Sequence, residues 1–280
     1  MSVAVPSAPA AAPAPLPVLY VLDPAFNFPT TVAATAWLAT ASRLTGGDYP
    51  PTVVVGVGYP TDDLGEIMAR RARDLTPTEG GAPEGLSLPP FPLGLGGAAR
   101  FLDALVSEVM PQVEARHPAD PADRTLVGHS LGGLFALSTL FDRPSAFARY
   151  LLISPSIWWH DRVILSHEQA WADDHADLPA RVFVAVGGDE QAPGGGWKNE
   201  NFPDEAIAAA RQVDNCHELC TRLQARNYPS LTINSVILDG EHHLTVAAAA
   251  ITRGLISLFS PGNIPAHARP SRIRQRSLIE

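Results

Sequence analysis

Residues Gly128-His129-Ser130-Leu131-Gly132 carry a pattern in which a serine hydroxyl can act as a nucleophile. An apolar run, Thr125-Leu126-Val127, leads into them, and Leu134-Phe135-Ala136-Leu137 leads away. That order reads as strand, sharp turn and helix, the context of a nucleophile elbow. There the serine backbone is strained and the hydroxyl is held out above the sheet edge. The outgoing helix aims free N–H groups and its positive dipole end at the same point. Gly128 and Gly132 have no Cβ, which lets the incoming strand and outgoing helix pass close together.

A serine hydroxyl needs a base within hydrogen-bond reach, and an imidazole with its ordinary pKa near ~6.5 suits neutral pH. His242 and His243 both follow the last apolar run of the chain, and either could serve. A carboxylate that holds the imidazole tautomer is expected after the preceding strand, where Asp189 and Glu190 are adjacent. Glu241 reads as a turn residue beside the histidines. The chain order of serine, acid and histidine is that of α/β-hydrolases. One oxyanion donor is expected from the N–H of Leu131. The second is expected after the first strand, where Pro24 has no N–H and Ala25 does.

These residues need a scaffold that collects them. Apolar runs at 17–22, 52–57, 125–127, 149–153, 181–186 and 231–238 predict six strands, the first two apolar on both faces. Helices are expected at 32–44, 98–116, 131–141, 204–226 and 245–259, the second from the spacing of Phe101, Leu102, Leu105, Val106 and Val109. Alternation of this kind predicts an α/β fold, a doubly wound and mostly parallel sheet with helices on both faces. In such a sheet the carboxyl ends of the strands form the reactive edge. Residues 1–16 read as a disordered Ala/Pro-rich leader, 17–260 as the folded domain and 261–280 as a loose polar tail. The stretch 59–97 is expected to be irregular and to form a wall or lid, and 194–197 a flexible loop.

Composition narrows the function classes. At 280 residues with 46% apolar content the chain can bury a large core. A net charge of −9 without a basic stripe argues against nucleic acid and anionic surfaces as partners. The leader lacks the basic and apolar regions of a signal peptide, and no apolar run is long enough for a membrane helix. Cys216 and Cys220 are one helical turn apart and read as free thiols, which suits a reducing, cytoplasmic setting. Cys216-His217-x-x-Cys220 reads as helical neighbours rather than a metal site, and no cofactor is expected. Gly94-x-Gly96-Gly97 lacks the Lys-Ser/Thr of a phosphate loop.

Several blocks together resemble the putative-esterase family of the α/β-hydrolase superfamily over residues 17–259. They are Val18-Leu19-Tyr20-Val21-Leu22-Asp23, Val55-Gly56-Val57-Gly58-Tyr59-Pro60, Arg73-Asp74-Leu75-Thr76-Pro77, Gly128 to Gly133, Ser154-Pro155-Ser156-Ile157-Trp158-Trp159, Gly187 to Glu190, and Gly240-Glu241-His242-His243. The third and fifth blocks are the most specific and are similar to those of siderophore esterases. The resemblance implies Ser130 as nucleophile, His243 ahead of His242 as base, and Glu190 ahead of Asp189 as acid. It implies a carboxylic ester hydrolase acting on small-molecule esters, siderophore-type or other aryl esters. An acyltransferase and a silent binding protein on the same fold are the alternatives.

Arg70 and Arg73, with Trp158 and Trp159, are expected to bind an aromatic acyl group by forked hydrogen bonds and stacking. Two departures from the family pattern stand out. Pro24 replaces a glycine after Asp23, and only the leader stands where the family has N-terminal strands. The strand at 52–57 is therefore expected to be an exposed edge, which leads either to pairing with a second copy as a homodimer or to poor solubility.

Overall fold

The computed structural model describes residues 1–6, 15–81, 91–192, 194 and 203–259. Among them, seven strands form one sheet in the order β1-β3-β2-β4-β5-β6-β7. The strands are β1 Ser2–Ala4, β2 Leu16–Leu22, β3 Val53–Val57, β4 Ala119–His129, β5 Arg149–Ile153, β6 Arg181–Gly187 and β7 Thr232–Leu238. All neighbours run parallel except β1, which lies antiparallel on β3.

Alternation along the strands divides the core into two layers. Leu19, Val21, Val54, Val127, Leu151 and Ile153 face one side. Val18, Tyr20, Val55, Leu126, Tyr150 and Leu152 face the other. Helices α1 (Pro24–Thr45) and α10 (Val246–Phe259) pack together over the first layer. The second is covered by α2 (Leu64–Leu75), α3 (Ala98–Ala104), α4 (Met110–Arg116), α5 (Leu131–Asp142), α7 (Ile164–Asp174) and α9 (Gln212–Ala225). The short α6 (Trp159–Arg162) and α8 (Asp204–Ala210) precede α7 and α9. A π-helical turn, Leu105–Val109, joins α3 to α4. Pro111 has no N–H for the ladder there, and Met110 N–H reaches back to the Leu105 carbonyl.

Four expectations change. The leader is not wholly unstructured, since Ser2, Val3 and Ala4 pair with Gly56, Val55 and Val54. The edge on which homodimer pairing rested is therefore occupied across those residues; residues 7–14 and the tail from 260 lie outside the described residues. Helix α1 starts at Pro24, eight residues before the expected position 32, because proline at the first helical position fits the helix rather than breaking it. The stretch after Tyr59 holds a 12-residue helix, α2, started by the Asp63 carboxylate on Glu66 N–H (2.7 Å). The helix expected over 204–226 is broken at Arg211, whose backbone is left-handed (φ 47°). The loop expected at 194–197 is described only at Gly194.

Strand order decides where a site can form. After β2 the chain crosses to β3 on one side, and after β4 it crosses to β5 on the other. The crevice between the carboxyl ends of β2 and β4 is therefore the switch point of the sheet. Asp23–Ala25 follow β2 and Ser130 follows β4.

Candidate active site

Ser130 sits between β4 and α5 with φ 61° and ψ −120°, a conformation that costs energy for any residue with a Cβ. Close packing enforces it. A Cβ on Gly128 would stand 2.1 Å from the Gly132 carbonyl oxygen, and one on Gly133 2.8 Å from Pro155 Cα. The backbone is held on both sides: Ser130 N–H donates to the Ile153 carbonyl (2.9 Å), and Ser156 N–H donates to the Ser130 carbonyl (3.1 Å). The Ser130 and Ser156 hydroxyls lie 3.4 Å apart.

Glu190 is 1% exposed. Its Oε2 lies 2.7 Å from Nδ1 of His243. Its Oε1 accepts from Gly187 N–H (2.7 Å) and from the buried Ser154 hydroxyl. Three donors thus hold one carboxylate in one orientation. Asp189 instead donates its N–H to the Glu241 carbonyl (3.1 Å). His242 is turned onto the start of α10, where its Nδ1 accepts from Leu244 N–H (3.2 Å). Of the two adjacent acids and two adjacent histidines, Glu190 and His243 form the hydrogen-bonded pair.

His243 connects to the elbow through His129, the residue before the serine. Their rings lie 4.7 Å apart. Burial, with His243 and Arg71 nearby, holds His129 well below the ordinary imidazole pKa, so its ring is neutral.

The loop after β2 closes the other side. Ala25 is the second residue of α1, and its N–H has no acceptor among the described residues. Pro24 seats this loop on β3, where glycines leave room for its ring. A Cβ on Gly56 would meet Pro24 Cβ at 2.9 Å, and one on Gly58 would meet Pro24 Cγ at 2.6 Å.

The residues expected to bind substrate are placed differently. Arg70 is paired along its own helix with Glu66 (2.6 Å), and Arg73 grips Asp74 with two bonds (2.6 and 2.8 Å). Trp159 is fully buried, with Nε1 directed to the Thr78 hydroxyl (3.3 Å), so it has no surface to offer a ligand. Trp158 lines a cavity of about 300 Å³ with Asp161, Arg162, Ala210, Arg211 and Asn215. The arginine that reaches the elbow is Arg71, one helical position from Arg70: its guanidinium bonds Asp23 (2.7 Å) and the His129 carbonyl (3.2 Å). Ala72 and Leu75 are buried with it, whereas Leu64 and Met68 on the same helical stripe are exposed, so the apolar pattern of α2 does not by itself single Arg71 out.

The Arg-Asp-Leu-Thr-Pro block is largely architectural. Gly97 N–H donates to the Arg73 carbonyl (2.8 Å), Gly96 N–H to the Thr76 hydroxyl (2.8 Å), and Ala98 N–H to the Thr76 carbonyl (3.1 Å). Cys216 and Cys220 are buried free thiols, and burial raises both, Cys220 to about 12, so neither is a thiolate nucleophile.

A family model described as putative esterase matches residues 1–192. The siderophore triacetylfusarinine C esterase of Aspergillus fumigatus is 34% identical over 255 residues, 88% of this chain and 82% of that protein. The ferri-bacillibactin esterase BesA of Bacillus subtilis is 30% identical, covering 89% and 81%. The solved structure of the siderophore hydrolase EstA of Aspergillus nidulans superposes with a TM-score of 0.74 at 28% identity, covering 93% of this chain and 89% of that one. The chain belongs to the putative esterase family and is a carboxylic ester hydrolase on the α/β-hydrolase fold.

Proposed function

We propose that this protein hydrolyses the ester bonds of siderophores, with Ser130 as nucleophile, His243 as general base and Glu190 as the carboxylate that orients the base. The observation that carries the assignment is the enclosed Glu190 carboxylate on Nδ1 of His243. With Nδ1 donating to a carboxylate, the lone pair of the neutral ring is on Nε2, the nitrogen that can take a proton from serine. Ser130 Oγ attacks the ester carbonyl carbon as its proton passes to His243. The oxyanion is met by the N–H groups of Leu131 and Ala25 at the starts of α5 and α1. Return of the proton to the departing alkoxide releases the alcohol and leaves an acyl-serine. Water, deprotonated by the same histidine, then frees the acid and restores Ser130.

The substrate class draws support from relatives named for triacetylfusarinine C and for ferri-bacillibactin. The two buried free thiols fit a reducing compartment, and we assign the enzyme to the cytoplasm on that ground. The test is product analysis by mass spectrometry on triacetylfusarinine C, bacillibactin, and acetyl and butyryl esters, with wild type and Ser130→Ala. Ring-opened siderophores from the wild type alone are expected. Intact siderophores alongside rapid cleavage of the short esters would refute the substrate, and turnover by Ser130→Ala would refute the nucleophile.

A further inference from the structure

Asp23 occupies the position just before the first residue of α1, with a left-handed backbone (φ 53°, ψ 57°). An aspartate there ordinarily turns its carboxylate onto the N–H of the second or third helical residue, because first-turn N–H groups have no partner inside the helix. The second residue here is Ala25. Asp23 does not cap: its side chain makes no bond to the helix.

Arg71 draws the carboxylate away. Its Nε donates to Oδ1 at 2.7 Å and its Nη2 to the His129 carbonyl at 3.2 Å, so one guanidinium spans the ends of β2 and β4. Both side chains are enclosed, at 9% and 6% exposure. The other oxygen, Oδ2, is buried with no donor among the described residues. It lies 3.3 Å from where a Cβ on Gly132 would stand. A buried carboxylate oxygen without a donor is unfavourable, and here it is held beside the starts of two helices.

We propose that Arg71 is a positioning residue that keeps the Asp23 carboxylate out of the oxyanion hole. The inference rests on the reading of Ala25 and Leu131 N–H as oxyanion donors. Without the guanidinium, rotation of the Asp23 side chain brings its carboxylate to the Ala25 N–H two residues on, the bond of an Asx turn, and aspartate tolerates the left-handed backbone. A fixed negative charge then stands where the substrate's oxyanion must form, and one donor is spent. Arg71 acts through Asp23 and not on the substrate.

A double-mutant cycle tests this on p-nitrophenyl butyrate, with Tm recorded for each variant. Arg71→Ala is expected to lower kcat by about 10²-fold or more, the cost of losing an oxyanion donor, with KM changed less than about threefold. Asp23→Gly keeps the left-handed backbone without strain. In that background Arg71→Ala is expected to cost less than about threefold, since there is no carboxylate left to restrain. If Arg71→Ala does not fold, Arg71→Met, which keeps the bulk and has no donor, replaces it with the same expectations. A double variant as slow as Arg71→Ala alone overturns the inference, as does a rise in KM with kcat intact, which marks a substrate-binding arginine. A wild type that a fluorophosphonate fails to label at Ser130 removes instead the reading on which the inference rests.

Discussion

Replacing Glu190 by glutamine tests the assignment of the acid most severely, because shape is retained while one hydrogen bond is inverted. In the native site Oε1 accepts from Gly187 N–H and Ser154, and Oε2 faces Nδ1 of His243 at 2.7 Å. A glutamine satisfies the first two donors only by keeping its oxygen there. Its NH2 group then points at Nδ1, which must give up its proton and accept. The ring proton moves to Nε2, the nitrogen that has to be bare to act as a base. The same inversion in a serine protease triad lowers kcat about 10⁴-fold. A loss of 10³- to 10⁴-fold is expected here, about 4–5.5 kcal/mol of transition-state stabilisation. KM should change little, since the residue is enclosed and does not meet substrate. Asp189→Asn, which leaves all three contacts in place, should cost less than about tenfold. The assay is steady-state hydrolysis of p-nitrophenyl butyrate at pH 8, with folding checked by near-UV circular dichroism. Retention of more than a tenth of wild-type kcat by Glu190→Gln, or a larger loss in Asp189→Asn, would refute the reasoning.

Two further outcomes follow from the same contacts. Arg73→Met leaves the nearly enclosed Asp74 without its two bonds, so it should lower stability by about 2–4 kcal/mol in urea unfolding. KM values for an aryl and an acetyl ester should move together; a selective rise for the aryl ester would return Arg73 to the substrate site. His129 is held neutral below its ordinary pKa of 6.5, so in acid the unfolded state binds a proton that the folded state refuses. Its contribution to stability is complete above pH 6.5 and is lost as pH falls, by up to about 1.4 kcal/mol per pH unit. His167, raised by Asp142, works in the opposite sense, and comparison of wild type with His129→Gln cancels it. Equal slopes of unfolding free energy between pH 7 and 5 in the two proteins would count against a buried neutral His129.

Short-range signals carried a large part of this protein. Apolar runs marked β2, β3, β5, β6 and the last part of β4 because a strand covered on both faces must be apolar at nearly every position, while β7 at the sheet's end is partly exposed. The elbow was legible because its requirements, a strand, two close-packed glycines and a helix, are local. Chain order alone set Ser130, the Asp189-Glu190 pair and the two histidines at successive strand ends. The choice between neighbours was not local. Glu190 rather than Asp189 meets His243 because Gly187 N–H and Ser154, on two different strand ends, orient that carboxylate.

Long-range packing decided the rest. Arg70 and Arg73 pair within α2, with Glu66 and Asp74, whereas it is the packing of α2 against the sheet that carries Arg71 to the ends of β2 and β4. Trp158 and Trp159 are adjacent, and the turn into α6 buries one and leaves the other on a cavity. Three residues near the start of the chain become a sheet edge because β3 presents unpaired backbone groups to them, a partner with no signature in their own composition. Residue type states what a side chain can do, whereas partner choice depends on atoms brought together from opposite ends of the chain, and only the tertiary structure specifies those.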